Sequence, residues 1–594
     1  MDSKHLGRLA GAALAALACG ATIHGCGGSS SGGGGGLAAS TAAGATPAAT
    51  TSGTPAATTT SSAPAGPAPR TRTAVTVARH GEGFLELHHG TKKVLHTKGT
   101  SYERGVQYGY LLGDEVEGVL GKLPAYAAQA GGNLAAYAQA LVTPVGAAVM
   151  RPYFDQDALE QLRGIVDGMR LRNPATWVTE QDLVFVNALI DIGAVVDLDV
   201  FRCSGLAVWG DITRDGKLFQ TRNVDLMIGS GLEDHAVVVI EKPTGGVPYL
   251  NPGWAGMIGC ASGLNAQGLG VSQVWAFSRE KGFGRPWVLT MRQALGQCTG
   301  VEEVVAIHQA DRRTYGSNFV LADPGHGRGG VPRGISIEVT QRQLSVFDSD
   351  DPREDQALWN GQPYAIRVPW AVFRGDSYMD PLLRATQTAS NGPTGDPRSA
   401  GAYRNRYQGQ AEGILRYVRA GQKIGPDECI QITRDVAMRN NSLQCVVYAN
   451  HDLEVWLANS RIDRSGATPR TFDANTETYF HYSLEEYTPT AQAVPDRTSA
   501  ARGEDLQLAV PIRTWGRARA LDVRVGLDLG GAISPLGALG TVVLGDRGQA
   551  TLTGTITVPA GLPNVGRGDL VVELVEAGTG DLVDIARTTF TVTP

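Results

Sequence analysis

A chain of 594 residues is too long for one ordinary domain, and 42% hydrophobic residues suffice for a large buried core. A formal net charge of −6 excludes the basic footprint of a nucleic-acid binder. Beyond the N-terminal stretch, no apolar run reaches transmembrane length.

Lys4 and Arg8 precede an apolar run from Leu9 to Ile23, which ends in His24-Gly25-Cys26. A charged region, an apolar region and a small residue before a cysteine form the pattern of a bacterial export signal. The stretch resembles the lipobox of bacterial lipoproteins, with Cys26 as the lipidated residue and Cys19 as a second candidate. A plain cleaved signal with incidental cysteines is the alternative. Residues 1–26 are therefore expected to be a signal peptide, and the protein to be exported and lipid-anchored in the cell envelope. Residues 27–72 are Gly, Ser, Ala, Thr and Pro with almost nothing to bury, so they read as a disordered tether.

From residue 73 the composition becomes globular. Strands are expected at 74–77, 84–87 and 93–96, then a helix from about 101 to 120 and amphipathic helices over 156–170 and 181–197. Residues 73–202 thus read as a mostly helical lobe. The pattern then changes to strands at 236–240, 268–275, 317–322, 335–338 and 344–347. Helices are expected at 301–310, 406–419 and 426–438, and strands at 444–448 and 453–458. Strand runs with helices grouped between them argue for a layered α+β fold over residues 203–488. Residues 489–594 carry six evenly spaced strand patterns with Gly-Asp turns and no cysteine or histidine. They read as an immunoglobulin-like β-sandwich serving as a spacer or stabilising addition.

Between the helical lobe and the strands lies Arg202-Cys203-Ser204-Gly205-Leu206-Ala207-Val208, followed by Asp215-Gly216 and Thr221-Arg222-Asn223-Val224-Asp225. Asp-Gly is a hairpin-turn signal, and simple antiparallel counting places Cys203 opposite Asn223. Arg222 and Asp225 then flank the thiol only if the second strand ends or bends near Asn223, since residues three apart on a strict strand face opposite ways.

Several familiar signals fail on context. Gly325–Gly330 satisfies G-x-G-x-x-G but joins strand to strand, whereas a dinucleotide loop joins strand to helix. G-x-S-x-G occurs only in the tether, at Gly28–Gly32, where no nucleophile elbow forms. His88-His89 has no carboxylate or cysteine at metal spacing and reads as an ordinary strand pair; no CxxC or Cys/His cluster suggests zinc. Neither a metal nor any other cofactor is expected.

The seven cysteines are an odd number, which flags one free thiol in an exported protein. Cys203 is the candidate. Cys260, Cys298, Cys429 and Cys445 then pair in one of three ways or stay reduced. A neighbouring arginine favours thiolate. No histidine lies near in sequence, so a Cys/His dyad needs a distant partner such as His235 or His451. Cutting the peptide bond before Cys203 supplies a base without histidine: an α-amine, with an unperturbed pKa of about 7.7–8.0, accepts the thiol proton at neutral pH.

At these residues the chain resembles the peptidase C45 group of the N-terminal nucleophile (Ntn) hydrolases, the acyl-CoA:isopenicillin N acyltransferase-like family. The matching pieces are Ser101–Gly109, Leu162–Gly168, Cys203 with Arg222–Asp225, Ser262–Leu269 and Ser390–Pro393. The resemblance covers about residues 85–487. It implies an αββα four-layer sandwich, self-cleaved between Arg202 and Cys203, whose two fragments stay associated. It also implies Cys203 as nucleophile, its new amine as base, Asp225 orienting that amine and Arg222 beside the thiolate. Asn391 matches the family asparagine that helps bind the oxyanion, and a further arginine matches Arg406 or Arg404, with Arg406 preferred because Tyr407 follows it. The chain departs from the pattern at Gln273 and Trp275, where relatives often carry asparagine, and Gln273 is a candidate oxyanion donor. It departs again at Gly392, where many members have His.

The expected function is therefore an amidohydrolase or acyltransferase that works on a small acylated compound through an acyl-enzyme. An exported enzyme has little access to acyl-CoA, which favours hydrolysis. Two other readings remain: a non-catalytic envelope-anchored binding protein on the same fold, and a conventional cysteine peptidase needing a histidine at the thiol.

Overall fold

The computed structural model describes residues 74–131, 143–195, 202–276, 278–359, 362–363, 365–388, 406–530 and 532–594. The leader and tether, Cys19, Cys26, Asn391 and Arg404 lie outside them.

Three strands open the described chain: β1 (Val75–His80), β2 (Gly83–His88) and β3 (Lys92–Gly99). Four helices follow: α1 (Ser101–Gly131), α2 (Thr143–Met150), α3 (Gln156–Arg172) and α4 (Glu180–Val195). Next come β4 (Arg202–Val208), β5 (Phe219–Asp225), β6 (Ala236–Pro243), β7 (Tyr249–Trp254), β8 (Ser262–Asn265) and β9 (Gly270–Trp275). Helices α5 (Trp287–Gln297) and α6 (Val301–Ala310) precede β10 (Ser317–Asp323), β11 (Arg333–Val339), β12 (Leu344–Asp348) and β13 (Ala371–Arg374). Helices α7 (Arg406–Arg419) and α8 (Pro426–Val436) lead into β14 (Ser442–Ala449), β15 (Glu454–Asn459) and β16 (Phe480–Ser483).

These strands form two sheets. One has ten strands in the order β1-β2-β3-β6-β7-β8-β9-β10-β11-β12, and the other six in the order β13-β4-β5-β14-β15-β16. They pack face to face where β4 and β5 lie on β9, while α5 and α6 cover the far side of the first sheet and α7 and α8 that of the second. Every residue of β5 and β14 is therefore buried, including the polar Gln220, Thr221, Arg222, Asn223 and Asp225 of β5. The four layers expected are present.

The N-terminal region is not a separate helical lobe. Strand β3 runs parallel to β6, from Val94 opposite Val238 to Gly99 opposite Pro243, so residues before Cys203 form one edge of the large sheet. Lobe-like composition misled because the helices outnumber the strands there, while the pairing that joins the strands to the rest is long-range. The glycines of the Ser101–Gly109 and Leu162–Gly168 motifs also find their reason. Gly105 and Gly109 on α1 meet Gly164 and the carbonyls of Gln161 and Ile165 on α3 with no room for a Cβ, so the two helices touch backbone to backbone. The expected strand over 268–275 is β9, which starts at Gly270 after a turn at Gly268, whose φ is +80°. Helix α5 was not anticipated.

The C-terminal residues form a four-stranded and a five-stranded sheet around one apolar core that includes Leu508, Val523, Val572, Leu574 and Phe590. Lys98 and Lys242 of the large sheet both bond Asp584, at 2.9 and 2.8 Å, and so fasten this unit to the layered body.

Candidate active site

Strand β4 brings Cys203 into the space between the two sheets. It pairs with β5 as Arg202–Asp225, Cys203–Val224, Ser204–Asn223 and Gly205–Arg222. The expected opposition of Cys203 to Asn223 is therefore off by one residue, because two short 3₁₀ turns (Gly210–Ile212 and Arg214–Gly216) replace a simple loop. Nor does β5 bend near Asn223. It stays regular against β4 through Asp225, and the irregularity falls on β14, between Ser442 and Gln444. Arg222 and Asp225 accordingly take opposite faces, as a regular strand dictates.

Arg222 shares the face of Cys203. Its Nη2 lies 3.6 Å from the thiol Sγ, its Nε donates to the Gln273 carbonyl at 2.7 Å, and Nη2 also reaches Gln273 Oε1 at 3.3 Å. Gln273 in turn donates to Ser317 Oγ at 2.9 Å, so β9 and β10 hold the guanidinium in place. Nη1 of Arg222 is buried with no hydrogen-bond partner among the described residues, which leaves a donor beside the thiol for a developing negative charge. Gly205 permits this closeness: a Cβ there would meet the Thr221 carbonyl at 3.3 Å and Ser272 at 3.5 Å.

Asp225 faces the helical layer, where it accepts from Arg406 Nε at 2.9 Å and from the Met438 backbone N–H at 3.1 Å. Arg406, the first residue of α7, also donates from Nη1 to Asp376 Oδ2 at 2.6 Å. The other oxygen of Asp376 accepts the backbone N–H of Cys203 at 3.2 Å. The group expected to orient the nitrogen of Cys203 was Asp225; the carboxylate in contact with it is Asp376, with Asp225 one step behind through Arg406. No sequence motif marked Asp376. Its turn is pinned by Asn318, whose side-chain amide donates to the carbonyls of Gly375 and Ser377 at 3.0 Å, and by Gln387, which donates to the Asp376 carbonyl at 2.9 Å.

Electrostatics follow from burial. Removal from water raises the Cys203 thiol pKa, with Arg222 pulling it down and Asp225 and Asp376 adding to the rise. Burial also lifts Asp225 to about 6, against the opposing pull of Arg406. Behind Gln273 and Ser317 sits a small polar chamber lined by Asp191, Trp287, His308, Thr314 and Tyr315. Desolvation drives the Asp191 carboxyl up to about 8 and the His308 imidazole down to about 3, so both are neutral at pH 7.

The histidines considered as bases are committed elsewhere: His235 Nδ1 meets Glu115 at 2.8 Å and His451 Nδ1 accepts the Leu218 N–H at 3.0 Å. All five described cysteines are free, so no disulfide forms among them. The Gly325–Gly330 segment is a hairpin loop between β10 and β11, as expected. A cleft of about 1070 Å³ opens between the layered body and the C-terminal sheets, lined in part by Lys242, Trp515 and Arg587. None of the expected catalytic residues among the described ones lines it.

Residues 212–343 match the family model described as acyl-coenzyme A:6-aminopenicillanic acid acyl-transferase, in agreement with the C45 resemblance of the motifs. Cys203 precedes the matched segment. An uncharacterized protein of Archaeoglobus fulgidus is 22% identical over 290 residues, 46% of this chain and 47% of that protein, so the chain spans about half the length of the curated relative it matches. Among solved structures, the N-acylethanolamine-hydrolyzing acid amidase ortholog of Caenorhabditis elegans is similar at TM-score 0.30 and 15% identity, over 42% of this chain and 93% of that one. A mutant of the conjugated bile acid hydrolase of Clostridium perfringens gives TM-score 0.27 and 16% identity, over 47% of this chain and 96% of that one.

Proposed function

We propose that this chain, similar over residues 212–343 to the acyl-coenzyme A:6-aminopenicillanic acid acyl-transferase family, is a self-processing N-terminal-cysteine amidohydrolase or acyltransferase. The observation that carries the reading is one connected constellation: Arg222 on the thiol, and Asp376 on the nitrogen of the same residue, braced by Arg406 and Asp225.

In the first step Cys203 Sγ attacks the Arg202 carbonyl carbon, and the C–N bond breaks as the acyl group moves to sulfur. Water hydrolyses this thioester and leaves a free α-amine on Cys203. That amine is the base for substrate: it takes the thiol proton, the thiolate attacks an amide carbonyl, and the departing amine leaves with the proton. The acyl-thioester is then attacked by water or by an acceptor amine, which distinguishes hydrolysis from transfer. Arg222 stabilises the thiolate, and Asp376 keeps the amine directed at the thiol. Asn391 is proposed as an oxyanion donor, a role typically contributing about 3–4 kcal/mol. Gln273 acts here by holding Arg222. Export and lipidation at Cys26 would place the enzyme on the cell envelope, reached through the tether.

After cleavage, β1–β3 remain an edge of the large sheet and α1 and α3 remain packed on it, so the fragments have reason to stay together without a disulfide. Mass spectrometry of the purified protein is the test. It should find a chain beginning at Cys203, and two bands on a denaturing gel, while Cys203→Ala gives one. A single full-length chain in active wild-type protein would sink self-cleavage.

A further inference from the structure

His88 has a carboxylate beside it after all. Glu86 and His88 are two apart on β2 and share one face. Across β3, His96 pairs with Phe84 and so joins that face. Tyr487, in the 3₁₀ turn Glu485–Tyr487 that leads to the C-terminal sheets, closes over all three. Glu86 Oε2 lies 3.0 Å from His88 Nε2, 3.2 Å from His96 Nε2 and 2.6 Å from the Tyr487 hydroxyl, which is 3.3 Å from His88 Nε2. Four tetrahedral ligands at zinc–nitrogen and zinc–oxygen distances of about 2.0–2.1 Å stand about 3.3 Å apart. The 3.0, 3.2 and 3.3 Å separations are near that size, while the 2.6 Å hydrogen bond between Glu86 and Tyr487 is shorter and lengthens when an ion takes its place.

We propose that Glu86, His88 and His96, with Tyr487 at the fourth vertex, form a structural zinc site. Two imidazoles and a carboxylate are a donor set suited to zinc. The site is closed: Glu86, His88, His96 and Tyr487 are 2, 7, 2 and 1% exposed. A buried carboxylate requires compensating charge, and the partners of Glu86 include two imidazoles, which carry charge only when protonated. A divalent cation supplies that charge and takes both rings as neutral ligands. Packing sets the rings beforehand: His96 stacks on Phe84 at 4.1 Å and 9°, and His88 lies against Tyr482 at 5.7 Å. Three of the ligands precede Cys203 and the fourth follows it, so the ion ties the two sides of the proposed cut. That consequence rests on the proposed cleavage; the metal stoichiometry does not.

The experiment uses the full chain, purified without a histidine tag or chelator. Elemental analysis should find one zinc per chain. Protein stripped with a chelator should take up one equivalent of zinc chloride with a rise in melting temperature, or of cobalt chloride with visible ligand-field absorption. Glu86→Gln combined with His88→Asn should lose the ion. Tyr487→Phe, which preserves the ring packing, should keep cobalt but change its spectrum. Folded wild-type protein that neither contains nor takes up zinc overturns the site and leaves a hydrogen-bonded cluster. Retention of one zinc by the double variant overturns it equally. The chain termini, read by mass spectrometry on the same samples, report separately on self-cleavage.

Discussion

Replacing Asp376 by asparagine separates the two carboxylates that share Arg406. In the wild type Asp376 accepts from Cys203 N at 3.2 Å and from Arg406 Nη1 at 2.6 Å, while Asp225 takes Arg406 Nε at 2.9 Å. Asparagine keeps the shape and one acceptor oxygen but removes the charge that, in the proposed processed enzyme, holds the free amine of Cys203 in place. Asp376 is 18% exposed and Arg406 only 4%, so the lost bond is charge-assisted and largely shielded from water. Such bonds contribute about 1.5–3 kcal/mol, and at 1.36 kcal/mol per factor of ten this is roughly a 10- to 150-fold fall in kcat/KM. The assay is hydrolysis of a chromogenic acyl-amide by fully processed protein, with the rate of Cys203-fragment formation followed in parallel on gels. Urea unfolding of the same variant reports whether the fold, rather than the amine, has suffered. A variant that processes and turns over at the wild-type rate would refute the assignment of Asp376 to the Cys203 nitrogen.

Arg222→Gln removes the charge 3.6 Å from Sγ, so the pH dependence of iodoacetamide labelling at Cys203 should move to higher pH and kcat/KM should fall by about one to two orders of magnitude; an unmoved labelling profile counts against thiolate stabilisation. Asp191→Asn tests the polar chamber. An acid whose pKa rises from 3.8 to about 8 on folding costs stability progressively as pH climbs through that window, by up to about 1.4 kcal/mol per pH unit. The variant should lack this slope in urea titrations across the window and be more stable than wild type at its alkaline end; parallel curves would show that Asp191 ionises normally. Gly109→Ala forces a methyl into the Ile165 carbonyl and should cost about 1–3 kcal/mol in thermal or urea unfolding; wild-type stability would mean the helices part easily.

Local pattern located most elements, since strand and helix periodicity depend on neighbours in sequence. The strands at 75–80, 83–88 and 317–323 and the helix at 301–310 lie where the pattern put them. The cysteine and its arginine were also legible, because β4 and β5 are close in sequence and pair directly. Register was not, since two short turns shift it by one residue, and with it the faces of Asn223 and Asp225.

Side chains that meet only across layers had no sequence signal. Asp376 stands 173 residues from Cys203, held there by Asn318 on the opposing sheet. Tyr487 is 401 residues from Glu86. His88 read alone is a strand residue, because the diagonal His96 and the closing Tyr487 come from other elements. What the sequence by itself determined was the layered α+β class, the motif glycines and the pairing of Cys203 with its arginine. Only the tertiary structure decided which carboxylate holds the nitrogen of Cys203 and which groups surround Glu86. Both depend on stacking sheets and crossing segments, contacts that no periodicity records.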